Sequence, residues 1–231
     1  MIYGFLRRAL ATTRSPAQLR WESDLGRTLT DKEWEGIYRR ANITAHSAGG
    51  RETWAKLVHH WYYTPTRVHR WRPLTSDRCW WGCGGEGSLV HLLWHCPKLT
   101  RFWDQVLNKL DEIFDNELPR LPAYVLLGLP NRLTYPLGSN WGSQLAMALC
   151  AATQTILALW GSDRPPEHLS WLHRLWLLLG MEKLSLAADY PKHDIAQLWT
   201  PLVSFLSNEF RELTCPRYLR ILQLSTSRRT T

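Results

Sequence analysis

Between positions 79 and 96 the chain reads CWWGCGGEGSLVHLLWHC, a Cys-x3-Cys-x7-His-x4-Cys run. Three thiols and one imidazole, those of Cys79, Cys83, His91 and Cys96, thus fall within 18 residues. That donor set is what a closed tetrahedral Zn2+ site needs, and the short loops let one segment wrap the ion without a large core of its own. Four protein ligands leave no position for water, so the zinc is expected to be structural rather than catalytic. Clustering argues against reading these cysteines as small buried hydrophobes, since three of the chain's five lie in this one segment. Gly82, Gly84, Gly85 and Gly87 sit where such a knuckle must turn tightly. His95 is a rival to His91, but it abuts Cys96, which makes joint ligation of one ion awkward, and His91 is preferred. Cys150 and Cys215 stand alone and read as buried thiols.

The segment resembles the cysteine-rich tail of the second-reading-frame (reverse transcriptase) protein of LINE-type, non-LTR retrotransposons. That family opens its knuckle with Cys-Trp-x-x-Cys-Gly, follows with Gly-x-Leu-x-His and places a Trp shortly before the last Cys. Here these are Cys79-Trp80-Trp81-Gly82-Cys83-Gly84, Gly87-Ser88-Leu89-Val90-His91, and Trp94 before Cys96. Upstream, Trp61-Tyr62-Tyr63-Thr64-Pro65-Thr66-Arg67 is similar to the family's aromatic-Thr-Pro-x-Arg stretch. Downstream, Phe102-Trp103 with Val106 resembles its Phe-Trp-x-x-Val helix, and Trp176 with Met181-Glu182-Lys183-Leu184 its Trp and Met-Glu-Lys block. The resemblance is clearest over residues 54 to 184. Two positions depart from the pattern: Trp81 and His60 stand where the family often carries basic residues, and each removes a phosphate contact. The resemblance implies a fragment, because the parent proteins carry an endonuclease and a polymerase before this tail. It also implies a role in holding template RNA, with the retroelement polymerase as a further candidate partner.

Charge is distributed unevenly. Residues 1 to 78 hold 14 basic and 7 acidic side chains, residues 79 to 210 hold 9 and 12, and residues 211 to 231 hold 5 and 1. Twelve of the 14 basic residues in the first segment are arginines, which bind phosphate through a planar fork and stack on bases. That is the footprint expected of a nucleic-acid binder, and an acidic protein partner would be served by the same charges. No recognition helix with Arg, Asn and Gln at base-reading spacing is evident, so RNA or another single strand fits better than a specific duplex. The candidate contacts are Arg67, Arg70, Arg72 and Arg78, which lead into the knuckle, together with Trp80 and Trp81. Either indole can be an exposed stacking platform or can pack the knuckle onto the helices.

The apolar periodicity predicts an all-α fold, a helical domain with the Cys-Cys-His-Cys knuckle inserted between helices. Residues 1–20 read as a basic arm or severed connector, 21–78 as N-terminal helices and the basic approach, and 79–96 as the knuckle, with a small hairpin allowed inside it. Residues 97–224 read as a C-terminal helical region and 225–231 as a disordered tail. Thr30 with Glu33 forms a capping box ahead of Trp34, Ile37, Tyr38, Ala41 and Ala45. Trp54, Leu57, Val58 and Trp61 predict one buried helical face, ending before Pro65. Leu99, Phe102, Val106, Leu110, Ile113 and Phe114 predict another, opposite a solvated row of Asp104, Asp111, Glu112 and Asp115. Further helices are expected over 123–129, Trp141–Trp160 and the stretch with Leu169, Leu172, Leu175, Trp176 and Leu179. A last long helix carries Ile195 to Leu213 and should kink or restart at Pro201.

The most apolar run, Leu145 to Trp160, is too short and too polar to span a bilayer. Arg7 and Arg8 come too early for a signal peptide, so the expectation is nucleus or cytoplasm, not secretion. No two adjacent aspartates occur and no Phe/Tyr-x-Asp-Asp turn is present, so neither polymerase nor nuclease chemistry is expected of this chain. Two other readings remain beside nucleic-acid binding: a zinc-stapled protein-interaction module, and a non-functional retroelement remnant.

Overall fold

A computed structural model of the protein describes residues 14–43, 48–129, 140–189 and 200–212. Among these residues the regular structure is helical and no strand forms. The helices are α1 (Pro16–Leu25), α2 (Asp31–Ile43), α3 (Ala48–Val58), α4 (Pro65–Trp71), α5 (Thr100–Phe114), α6 (Pro122–Leu127), α7 (Asn140–Ala158), α8 (His168–Asp189) and α9 (Thr200–Glu212). A π-helical turn at His91–His95 and a 3-10 turn at Pro97–Leu99 join the knuckle to α5. The all-α expectation, with its Cys-Cys-His-Cys insert, holds.

The first helix begins earlier than the sequence reading allowed. The Ser15 hydroxyl accepts from Gln18 N at 3.2 Å while the Gln18 side chain accepts from Ser15 N at 2.7 Å, and Pro16 follows in the first turn. That reciprocal cap and the proline start α1 inside the stretch expected to be a loose arm. Residues 1–13 of that arm lie outside the described residues. Trp21 is fully buried and its Nε1 donates to Val58 O at 3.1 Å, which ties α1 to the end of α3. The Thr30–Glu33 box forms at the start of α2, where Trp34 and Ile37 are buried and Tyr38 half-buried; Ala45 lies outside the described residues.

Helix α3 stops three residues short of Trp61, contrary to the predicted face. His60 adopts φ 55°, its N–H donates to Leu57 O at 3.0 Å, and Trp61 N donates to Lys56 O at 2.8 Å. This pair of crossed bonds around one left-handed residue is a Schellman stop. It throws Trp61 out of the helical register, and the indole is 60% exposed instead of buried. The residues after Pro65 also depart from the expectation. Thr64 Oγ1 accepts from Arg67 N, Pro65 occupies the first turn, and a seven-residue helix, α4, forms where only a basic approach was read.

Helix α5 buries Phe102, Trp103, Val106, Leu107, Leu110 and Phe114, while Ile113 is half-buried. Each enclosed side chain of this kind contributes about 1.5–3 kcal/mol. Asp104, Glu112 and Asp115 are exposed as expected. Asp111 is only part-exposed and is engaged: its carboxylate accepts from Leu118 N at 2.8 Å and pairs with Arg120 at 2.5 Å. Helices α7 and α8 pack along one another, and α5 lies against α8 and α9. Leu172, Leu175, Trp176 and Leu179 are buried on α8, whereas Leu169 is 41% exposed. Helix α9 is described from Thr200, with Pro201 in its first turn; residues 130–139, 190–199 and 213–231 lie outside the described residues, and with them the expected stretch of this helix from Ile195. One apolar core runs from Trp21 and Ile37 through Trp81, Leu89, Leu92 and Cys96 of the knuckle to Trp103 and Trp171. The knuckle is therefore built into the core and is not a bead hung from it.

Candidate metal centre

The loop opens with Cys79 N donating to Gly85 O at 2.8 Å and Gly82 N to Cys79 O at 3.2 Å. Gly82 and Gly84 take φ 72° and 80°, the left-handed backbone that a side chain would strain. The expected hairpin reduces to one antiparallel bridge, Arg78 with Glu86. The chain then enters the π turn, where Cys96 N reaches back to His91 O at 2.9 Å. The wider i→i+5 turn brings two residues five apart onto one side. Ser88 Oγ accepts from His91 N at 3.3 Å and fixes the start of that turn.

These local bonds bring one ligand atom each from Cys79, Cys83, His91 and Cys96 to within 4.8 Å of one another. Cys79 Sγ and Cys96 Sγ are 3.8 Å apart, and Cys83 Sγ and His91 Nε2 are 3.1 Å apart. A tetrahedral ion with bonds of about 2.3 Å to sulfur has sulfur–sulfur edges of about 3.8 Å. The four side chains therefore fit around a single metal ion. His95 is exposed and lies outside the group, which decides between the two histidines. Space at the imidazole is tight: a Cβ on Gly85 would stand 2.7 Å from His91 Cε1.

Burial raises the Cys79 thiol and pushes the Cys96 thiol up to about 12. Burial opposes ionisation of Cys83 too, but the Gly85 N–H, 3.4 Å from its sulfur, and the neighbouring thiols overcome that and hold it below the usual thiol range. Burial, with His95 nearby, lowers His91 and keeps it neutral, the form that ligates. Two buried thiols that resist ionisation alone are the groups a cation would draw into thiolate form, with release of protons.

The predicted nucleic-acid residues separate. Arg70, Arg72 and Arg78 are exposed, and Arg78 leans on Asp77 at 3.5 Å. Arg67 is half-buried, and its Nη1 donates to His60 O at 2.7 Å. Trp81 is 2% exposed, so its indole belongs to the core and the stacking-platform reading of it is corrected. Trp80 is half-buried against Trp160, with ring centroids 4.8 Å apart. The exposed rings lie elsewhere, at Trp61, Tyr63 and Trp71, each at least 58% exposed. The Thr64-Pro65 cap-and-proline pair was the sequence signal that would have set Trp71 on a helix.

The fold and site together define an all-α protein with a three-cysteine, one-histidine cluster able to hold a metal ion. No family model matches the sequence. No helix among the described residues is long and apolar enough to cross a membrane.

Proposed function

We propose that this chain is a zinc-stapled module that binds RNA or another single-stranded nucleic acid, of the kind found at the tail of LINE-type reverse transcriptase proteins. Zinc is the favoured ion because three thiolates and an imidazole at tetrahedral spacing suit it. With all four positions filled by protein, its role is structural. The observation that carries the binding reading is the row Arg70, Arg72 and Arg78, exposed on the approach to the metal loop. Among the described residues Arg70 and Arg72 form no ion pair, so their charge is available to phosphate. The likeness to the retroelement tail is supported by contact between its two hallmark segments. Thr66 Oγ1 donates to Gly87 O at 3.2 Å, and a Cβ on Gly87 would stand 2.5 Å from Pro65 Cγ. The Thr-Pro stretch thus braces the metal loop.

Fluorescence anisotropy with a labelled single-stranded RNA over a range of salt tests the reading. Affinity should fall with salt, and an Arg70→Ala/Arg72→Ala/Arg78→Ala variant should lose about 0.7 of log–log slope per phosphate contact removed. Wild-type protein with no salt-dependent RNA affinity would refute it. A second reading, a protein-docking module, is favoured by Leu177, Met181 and Leu184, which form an exposed i, i+4, i+7 row on α8. It predicts RNA-independent capture of a polymerase or other protein partner that a Leu177→Glu/Met181→Glu variant abolishes.

A further inference from the structure

We infer that Trp61, Tyr63 and Trp71, set around Arg67, are the base-stacking surface of this protein, each exposed ring taking one unpaired base. The assignment rests on the nucleic-acid-binding reading above and names the residues that would distinguish a single strand from a duplex.

Three observations lead there. A ladder of rings runs from the core outward. Trp34 stacks on Tyr38 at 5.9 Å, Tyr38 on His59 at 6.0 Å, and His59 on Trp61 at 5.0 Å, with interplanar angles of 30°, 30° and 26°. Trp34 is 2% exposed and Trp61 60%, so the ladder ends in an indole with one face covered by His59 and the rest open to solvent. A base laid on that open face continues a stack the protein has already built.

The segment after the Schellman stop alternates. Trp61 and Tyr63 are exposed, while Tyr62 between them is half-buried against Trp160 at 5.6 Å. A bend at Tyr62 turns that ring inward and leaves Trp61 and Tyr63, on either side of it, open to solvent. Tyr63 in turn meets Trp71 edge-on at 5.9 Å. Tyr63 and Trp71, at the end of α4, therefore join their rings into one surface, with Trp61 exposed two residues before Tyr63.

The charge on that surface selects the occupant. The Arg67 guanidinium lies 5.6 Å from the Tyr63 ring and 5.2 Å from the Trp71 ring, pinned by its bond to His60 O. Arg70 and Arg72 flank Trp71 in sequence and are exposed. Open rings interleaved with fixed and free arginines fit a ligand that alternates flat apolar faces with anions, as a single strand does. An apolar protein surface would leave the arginines without partners, and a duplex would keep its base faces covered.

Three probes of equal length test this by anisotropy: a single-stranded RNA, the same RNA as a blunt duplex, and an abasic strand that keeps the phosphates. Wild type should prefer the single strand to both others. Trp61→Ala, Tyr63→Ala and Trp71→Ala alter exposed rings, so a thermal melt should show them folded. Each should weaken single-strand binding about 5- to 100-fold, the worth of one stacked base, with unchanged salt slope. A Trp71→Phe variant should restore most of that loss. If wild type binds the single strand but folded ring variants match it, or the abasic strand binds equally well, the stacking assignment is overturned while the arginine-based reading stands. If wild type binds none of the three, both fall.

Discussion

Trp80 meets Trp160 edge-to-face, with centroids 4.8 Å apart and planes at 75°. The contact joins the metal loop to the turn after α7, and Trp160 Nε1 adds a 2.7 Å bond to Tyr63 O. One indole thereby holds the loop, the aromatic stretch before α4 and the C-terminal helices together. Trp160→Ala should cost about 2–3 kcal/mol in urea unfolding, below the about 3–5 kcal/mol of a fully enclosed ring because Trp160 is only half-buried. Trp160→Phe, which loses chiefly the hydrogen bond, should cost about 1 kcal/mol. Equal losses in the two variants would count against the tether.

Metal content is expected to be one zinc per chain by elemental analysis. Cys79→Ser/Cys96→Ser should abolish it and lower the melting temperature, because binding energy at such a site is folding energy. His91→Ala should remove far more zinc than His95→Ala, since only the His91 imidazole stands with the three thiols. A strong chelator should lower the wild-type melting temperature and leave the double variant unmoved.

Two glycines near the site should fail differently. A methyl on Gly87 meets three atoms of the rigid Pro65 ring at 2.5, 2.7 and 2.9 Å, so Gly87→Ala should destabilise by about 1–3 kcal/mol with or without metal. A methyl on Gly85 meets the His91 ring, 2.7 Å away, so Gly85→Ala should weaken zinc affinity more than apo-protein stability. Competition with a zinc dye and chemical denaturation separate the two effects.

Asp24 and His60 set opposing acid responses. Asp24 Oδ2 lies 3.5 Å from His60 Nε2, long for a hydrogen bond. Burial, with Glu86 nearby, raises the Asp24 carboxyl from 3.8 to about 6 despite Arg20. Burial, with Arg20 and Arg67, lowers His60 from 6.5 to about 4. Between those limits folded Asp24 holds more proton than the unfolded chain, so this carboxyl favours the fold increasingly as pH falls through 6. Folded His60 holds less, so this imidazole disfavours the fold increasingly as pH falls from 6.5 to 4. Each is worth at most about 3 kcal/mol at 1.36 kcal/mol per unit, less for Asp24 because water reaches part of it. The wild-type contribution should therefore be nearly level across the overlap. Asp24→Asn should make the protein more stable near neutral pH and lose stability steeply on acidification. His60→Asn, which suits the left-handed backbone there, should gain stability over the same range. Urea midpoints at several pH values would show both slopes.

The ligand set and most helices were legible because their signals are local. Donor spacing identified Cys79, Cys83, His91 and Cys96, and apolar periodicity identified the buried face of α5. What escaped depended on backbone events without a residue-type signature. Nothing in the identity of His60 announces a left-handed stop, so Trp61 was carried into a helix that had already ended. The π turn that aligns His91 with Cys96 has no sequence code either. Trp81 could not be assigned from its neighbours, because membership of a shared core is set by tertiary packing and not by local sequence. By contrast, Ser15-Pro16 and Thr64-Pro65 were readable caps, and both mark helices that were missed.

The span of chain each contact must close also implies an order of assembly. Cys79 and Cys96 are 17 residues apart, whereas Trp160 must find Tyr63 across 97. Shorter loops close at lower entropic cost and sooner. Folding kinetics should accordingly show the metal-dependent step ahead of the docking of α7 and its terminal indole. A nascent chain could then wrap its ion well before residue 160 is synthesised, and zinc supply would act on the earliest committed stage of folding rather than on the finished protein.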